Sequence, residues 1–250
     1  MADEKLGLKD VYVELFTPNR FPPEELRTCW VLSTGRCGTQ TLDGLLSLSK
    51  GVASFHEPMP RLHDYNERGL YKTHTRLIKT LVHASRIDIV SAIHQLGLLY
   101  AECQHRWTFF ARQVKEVFPR TRFIWLQRDM DGFVRSALQW HWFEDPTRIR
   151  PIWEKDEGKA LAWYWCKTNE WIRDFVETLS EEDWMFLDFE TIRRHEVWEL
   201  AKIFGVLEVD TPSAGLMEVV LSQERNRGKR RDIKKGWGDF DERAKRIRAA

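Results

Sequence analysis

The chain has 250 residues, 42% of them hydrophobic, which is enough for one sizeable core and fits one large α/β domain over 1–250 better than two small ones. Its 39 Lys and Arg against 38 Asp and Glu leave a net charge of +1, which excludes a global pull toward nucleic acid or a membrane surface, so any anion site is local. No apolar run approaches the length of a membrane span, and Met1 to Asp10 is polar rather than signal-like, so the expectation is a cytoplasmic protein. Cys29, Cys37, Cys103 and Cys166 are scattered without CxxC pairs and read as reduced thiols, neither a zinc site nor a disulfide framework.

In chain order, Thr28 to Leu32 is a short apolar strand that runs through Ser33-Thr34-Gly35 into a helical pattern over Thr39 to Leu48. Gly51 to Phe55 reads as a second strand, followed by a loop at Glu57-Pro58-Met59-Pro60, because proline removes donors and restricts its predecessor. Arg76 to Leu96 has helical spacing, with Ile87 to Val90 readable as strand, and Gly97 to Ala101 gives a strand ending at Glu102. Trp107 to Phe118 is helical up to Pro119, Phe123 to Leu126 is a buried strand, and Asp131 to Trp142 is helical again. Lys159 to Leu179 is a long helix and Trp184 to Leu187 a last strand, leading to Asp188-Phe189-Glu190. Glu196 to Phe204 is a helix with a C-cap signal at Gly205. Strands alternating with helices predict a parallel sheet covered on both faces, with ligands at the carboxyl ends of the strands.

Between the first strand and its helix lies Ser33-Thr34-Gly35-Arg36-Cys37-Gly38-Thr39-Gln40-Thr41. Small residues there let successive N–H groups converge on an anion, and the helix N-terminus adds partial positive charge, so the segment reads as a phosphate cradle. A Walker site needs Gly-Lys-Ser/Thr at the loop end; here Gly38-Thr39 has no lysine and the cation is Arg36. The arrangement resembles the 5′-phosphosulfate loop of the sulfotransferases, in which a Lys or Arg precedes a small residue, Gly, Thr and usually a second hydroxyl. Cys37 stands where serine is common and Gln40 where the second hydroxyl often lies, with Thr41 as a substitute.

Two further elements carry the resemblance. The strand Phe123 to Leu126 runs into Gln127-Arg128-Asp129 and a helix with Ser136 eight residues after Arg128, the family's spacing for the arginine and serine of the 3′-phosphate. A guanidinium offers bidentate contact to phosphate, whereas an unremarkable reading pairs Arg128 with Asp129 or Asp131. The basic run from Gln223 to Lys235, continuing into Gly236, resembles the family's C-terminal segment, within 223–250, that closes over the donor, with Lys234, Lys235 and Gly236 at the matching positions.

The resemblance implies a three-layer α/β/α fold with a mainly parallel sheet, like that of P-loop nucleotide kinases. It also implies an enzyme that passes a sulfuryl group from 3′-phosphoadenosine 5′-phosphosulfate (PAPS) to a hydroxyl or amine of a small-molecule or glycan acceptor. The donor residues would be Thr34, Gly35, Arg36, Cys37, Gly38, Thr39, Gln40, Arg128, Ser136, Lys234, Lys235 and Gly236. For the base the family suggests Glu57, with Glu102 and His74 (in Lys72-Thr73-His74) as rivals, and Arg36 as the cation on the leaving phosphate. A structural role for Glu57 would be a pair with Arg61, and for Glu102 a pair with His105 or Arg106. His56 is a candidate to orient Glu57, and Glu190 reads as structural. No residues gather at metal-ligand spacing, so no metal is expected. The competing readings are an ATP-dependent kinase of a small molecule and a non-catalytic nucleotide-binding protein. The clusters Trp140-His141-Trp142-Phe143 and Trp163-Tyr164-Trp165 are either aromatic core faces or an acceptor pocket.

Overall fold

The computed structural model describes residues 21–60, 75–140, 155–223 and 239–249. Five strands, β1 (Thr28–Leu32), β2 (Val52–Phe55), β3 (Leu99–Glu102), β4 (Thr121–Gln127) and β5 (Trp184–Asp188), form one parallel sheet in the order β2-β3-β1-β4-β5. The apolar strand runs found in the sequence are there because each central strand is buried on both faces. In β1, Trp30 and Leu32 point into one core layer while Cys29 and Val31 point into the other.

The first layer holds α2 (Thr75–Gln95), α3 (Ala111–Val117), α4 (Met130–Gln139), α5 (Glu157–Val176) and α9 (Asp239–Ala249). The second holds α1 (Thr39–Leu46), α6 (Phe189–Arg193), α7 (Val197–Leu207) and α8 (Ala214–Ser222). The architecture is therefore α/β/α, as the alternation of strands and helices predicts. Side-chain caps set several helix starts: Asp129 accepts from Gly132 N (2.7 Å) at α4, Asp156 from Lys159 N (3.0 Å) at α5, and Asp188 from Glu190 N (2.9 Å) at α6.

Several boundaries differ from expectation. Ile87 to Val90 is helix, because α2 continues through it. The helical stretch after Gln104 opens as a 3-10 turn, His105–Phe110, before α3 begins. Gly205 does not end α7: the helix runs on to Leu207 and Glu208 takes the left-handed position at φ 54°. The Glu208 and Val209 N–H groups return to the carbonyls of Gly205 and Phe204 in a Schellman arrangement. Arg27 and Arg122 hold the Glu208 carboxylate in place, so tertiary ion pairs support a backbone that glycine usually supplies. From β1 the chain goes out to the edge strand β2, returns inward to β3, then crosses to β4 and β5 on the other side of β1. The loop after β1 thus lies at the point where strand order reverses, between the ends of β3 and β4.

Candidate active site

The loop leaving β1 is left-handed at Gly35 (φ 79°), Arg36 (φ 54°) and Gly38 (φ 89°). Such a backbone curls the chain so that N–H groups face one concavity, and α1, starting at Thr39, adds its first-turn N–H groups at the rim. Ser33, Thr34 and Cys37 are buried, and Gly35 N donates to Ser33 Oγ at 3.2 Å. Burial pushes the Cys37 thiol up to about 11, so it is a neutral packing group in the loop. Gly38 is required twice over: its φ disfavours a side chain, and a Cβ there would stand 2.8 Å from the Phe189 ring.

Arg128 and Ser136 converge on this loop. Arg128 Nη1 donates to the carbonyl of Arg36 at 3.0 Å, and Arg36 Nε lies 3.4 Å from Ser136 Oγ. The Phe189 ring lies under the Arg128 guanidinium at 4.7 Å, so this one ring touches both phosphate-type elements. No carboxylate among the described residues pairs with Arg128. Asp129 caps α4 and Asp131 pairs with Arg135 (3.5 Å) instead. Arg128 Nε is buried with no hydrogen-bond partner, and burial pulls the guanidinium below its ordinary value. A buried guanidinium set this way can take an anion through charge-assisted hydrogen bonds.

Glu57 follows β2 with a left-handed backbone (φ 52°) and a carboxylate one-fifth exposed. Arg106 Nη1 donates to Glu57 Oε2 at 3.0 Å, and His105 Nδ1 lies 3.8 Å from Oε1. The pairing with Arg61 falls outside the described residues. His56 Nε2 lies 3.3 Å from Thr39 Oγ1, linking the segment after β2 to the start of α1.

Glu102 is placed differently. It is fully buried, and its oxygens accept from Arg86 Nε (2.7 Å), Arg86 Nη2 (3.0 Å), Tyr100 Oη (2.6 Å), Gln104 Nε2 and Trp107 Nε1. Its ion-pair partner is Arg86, itself 1% exposed, rather than His105 or Arg106. Burial alone would pull the Arg86 guanidinium down, but the hydrogen bonds and charge of Glu102 outweigh it and hold it above its ordinary value. With five donors on two oxygens, Glu102 is an internal support of the site and leaves no oxygen for an acceptor proton.

His74, Lys234, Lys235 and Gly236 lie outside the described residues. Glu190 pairs with Arg193 (2.5 Å) and Arg194 (3.8 Å), and the hydrogen bond from Arg193 lowers its carboxyl below the usual range, consistent with a structural role. Tyr164 and Trp165 are buried core residues, so the second tryptophan cluster is an aromatic core face. Trp140 instead stacks over the Arg36 guanidinium at 4.7 Å. Sequence reasoning did not find Arg106 as the partner of Glu57, nor the contacts of Thr108 and Phe189, because only a three-dimensional partner gives each of them its place. Among the described residues, no group of three potential ligands is arranged to hold a metal ion, and no helix is long and apolar enough to cross a membrane.

No family model and no curated protein matches the chain by sequence. Solved structures do match by shape. The sulfotransferase domain from the curacin biosynthetic pathway aligns with TM-score 0.52 and 16% identity, over 83% of this chain and 80% of that one. The sulfotransferase domain of the Synechococcus PCC 7002 olefin synthase aligns with TM-score 0.53 and 13% identity, over 92% and 98%. Sulfotransferase STF1 from Mycobacterium tuberculosis aligns with TM-score 0.53 and 10% identity, over 90% and 76%. The order of strands, the loop at the reversal point and these matches agree: the chain has the sulfotransferase fold.

Proposed function

We propose that the protein is a sulfotransferase that moves the sulfuryl group of PAPS to a hydroxyl or amine of a small-molecule or glycan acceptor. The observation that carries this reading is Arg128, a guanidinium without a carboxylate among the described residues, its Nε buried and unpaired, set against the phosphate loop. A 3′-phosphate supplies the missing anion. The loop lacks the lysine that an ATP-dependent kinase places there.

In this reading Thr34, Gly35, Cys37, Gly38, Thr39 and Gln40 form the cradle for the 5′-phosphosulfate, with Arg36 neutralising charge on the leaving phosphate. Arg128 and Ser136 hold the 3′-phosphate, and the family pattern adds Lys234, Lys235 and Gly236 over the adenine side. Glu57 takes the acceptor proton as the new S–O or S–N bond forms and the S–O bond to the phosphate breaks, leaving 3′-phosphoadenosine 5′-phosphate. The fixed ion pair with Arg106 keeps the carboxylate aimed. A second assignment rests on the 3.8 Å approach of His105 Nδ1: the imidazole is then the base and Glu57 its orienting partner.

The test is calorimetric titration with 3′-phosphoadenosine 5′-phosphate, run beside ATP with magnesium and beside AMP. Tight binding of the bisphosphate alone is expected; preference for ATP with magnesium would move the reading to a kinase. Glu57→Gln is expected to bind the bisphosphate as the wild type does and to lose transfer, which a non-catalytic nucleotide-binding protein would not display. His105→Gln separates the two bases, since it abolishes transfer only under the second.

A further inference from the structure

The phosphate loop and Glu57 come from different strands, yet both are held by the 3-10 turn that follows β3. Thr108, in the middle of that turn, is fully buried. Its Oγ1 accepts from Ser33 N at 2.9 Å and donates to Ser33 O at 2.9 Å. One hydroxyl thereby satisfies both backbone groups of the first loop residue, where the ladder of β1 has ended at Leu32 and neither group has a strand partner. Two residues earlier, Arg106 donates to Glu57 Oε2 at 3.0 Å from a side chain only 8% exposed.

The turn itself is anchored from below. Gln104, its N-terminal flank, and Trp107, its third residue, both donate to the buried carboxylate of Glu102. Trp107 packs edge-on against Trp30 of β1 (4.9 Å) and Phe110 packs against Trp107 (6.0 Å). A 3-10 turn this short has poor internal hydrogen bonding, so its shape depends on such outside partners. This gives the network around Glu102 and Arg86 a purpose that a purely stabilising ion pair lacks, since burying a charge pair is seldom the most stable solution for a core.

We infer that the turn His105–Phe110 is a yoke that sets the phosphate loop against Glu57, with Thr108 and Arg106 as its two positioning residues. This deepens the sulfotransferase reading and rests on it. Thr108 acts on the donor through Ser33, and Arg106 acts on proton removal through Glu57, so the two arms have separable effects.

The experiment measures affinity for 3′-phosphoadenosine 5′-phosphate and for AMP by calorimetry in wild type, Thr108→Val, Thr108→Ser and Arg106→Met. It also measures release of inorganic sulfate from PAPS with water standing in as acceptor. Thr108→Val keeps the shape of the side chain and removes both hydrogen bonds; it is expected to weaken both nucleotides by the same factor, roughly tenfold, with Thr108→Ser restoring most of the loss. The equal factor matters because a change at Arg128 would alter the ratio of the two affinities. Arg106→Met is expected to keep bisphosphate affinity within about threefold while sulfate release falls at least roughly tenfold. Hydrogen exchange on the wild type covers the case in which Thr108→Val does not fold: the bisphosphate should slow exchange in 33–39 and in 105–110 together. Wild-type affinity in Thr108→Val, a loss that Thr108→Ser shares in full, undiminished sulfate release in Arg106→Met, or protection confined to 33–39 would overturn the yoke. Absence of bisphosphate binding to the wild type would instead remove the donor-site reading, and the yoke with it.

Discussion

At Arg128, desolvation pulls the guanidinium below its ordinary value, and the charges of Asp129 and Glu190 offset it only in part, with no ion pair formed among the described residues. Such a residue lowers the stability of the protein without its ligand and raises affinity for the anion that completes it. Arg128→Met is therefore expected to leave the thermal midpoint unchanged or higher, while affinity for 3′-phosphoadenosine 5′-phosphate falls roughly hundredfold, the scale of losing two charge-assisted hydrogen bonds. A midpoint several degrees lower would mean that the arginine is a structural residue, as in the pairing with Asp129 or Asp131 that the sequence also permits. The spacing of Arg128 and Ser136 was legible because one strand-to-helix junction sets it. The pairing of Glu57 was not, because Arg106 lies 49 positions away and nothing local selects it over a nearer arginine.

At the scale of elements, the strands were read within a residue or two, since runs buried on both faces leave a continuous apolar signal. The short helix α6 and the helices α8 and α9 were not read: α6 has five residues, and α9 is dominated by charge, with Phe240, Ala244 and Ile247 as its core contacts. Gly205 illustrates the opposite error. Glycine after an apolar period is a sound signal for a helix end, but here the two arginines on Glu208 let the helix run past it. Gly205 is exposed within α7, and a Cβ there meets nothing within 4 Å. Gly205→Ala is expected to stabilise the protein by about 0.5–1 kcal/mol in urea unfolding, with bisphosphate affinity unchanged. A loss of stability would show that α7 needs the glycine backbone.

Across the whole molecule, four thiols are sealed in the core. Burial raises Cys29 and Cys166 to about 12, Cys37 to about 11, and Cys103 well above its ordinary value. Their neutral forms are favoured by the fold, so their contribution is fully present below the unfolded value of 9.0 and is lost as pH rises from there toward 12. Urea midpoints are expected to be insensitive to these thiols at pH 7 and to fall above pH 9. A thiol reagent at pH 8 should modify them only as the protein unfolds, and rapid reaction of the native protein would contradict their burial. The parallel α/β plan, the loop at Ser33 to Thr41 and the spacing from Arg128 to Ser136 are legible in the chain itself, because periodicity, glycine placement and spacing along one junction are local properties. The fold in three dimensions is what pairs Glu57 with Arg106, seals Glu102 among five donors, and brings Thr108 to Ser33 from 75 positions away. Those partnerships follow from the strand order β2-β3-β1-β4-β5, which brings distant segments to one end of the sheet, and no short stretch of sequence encodes which of them will meet.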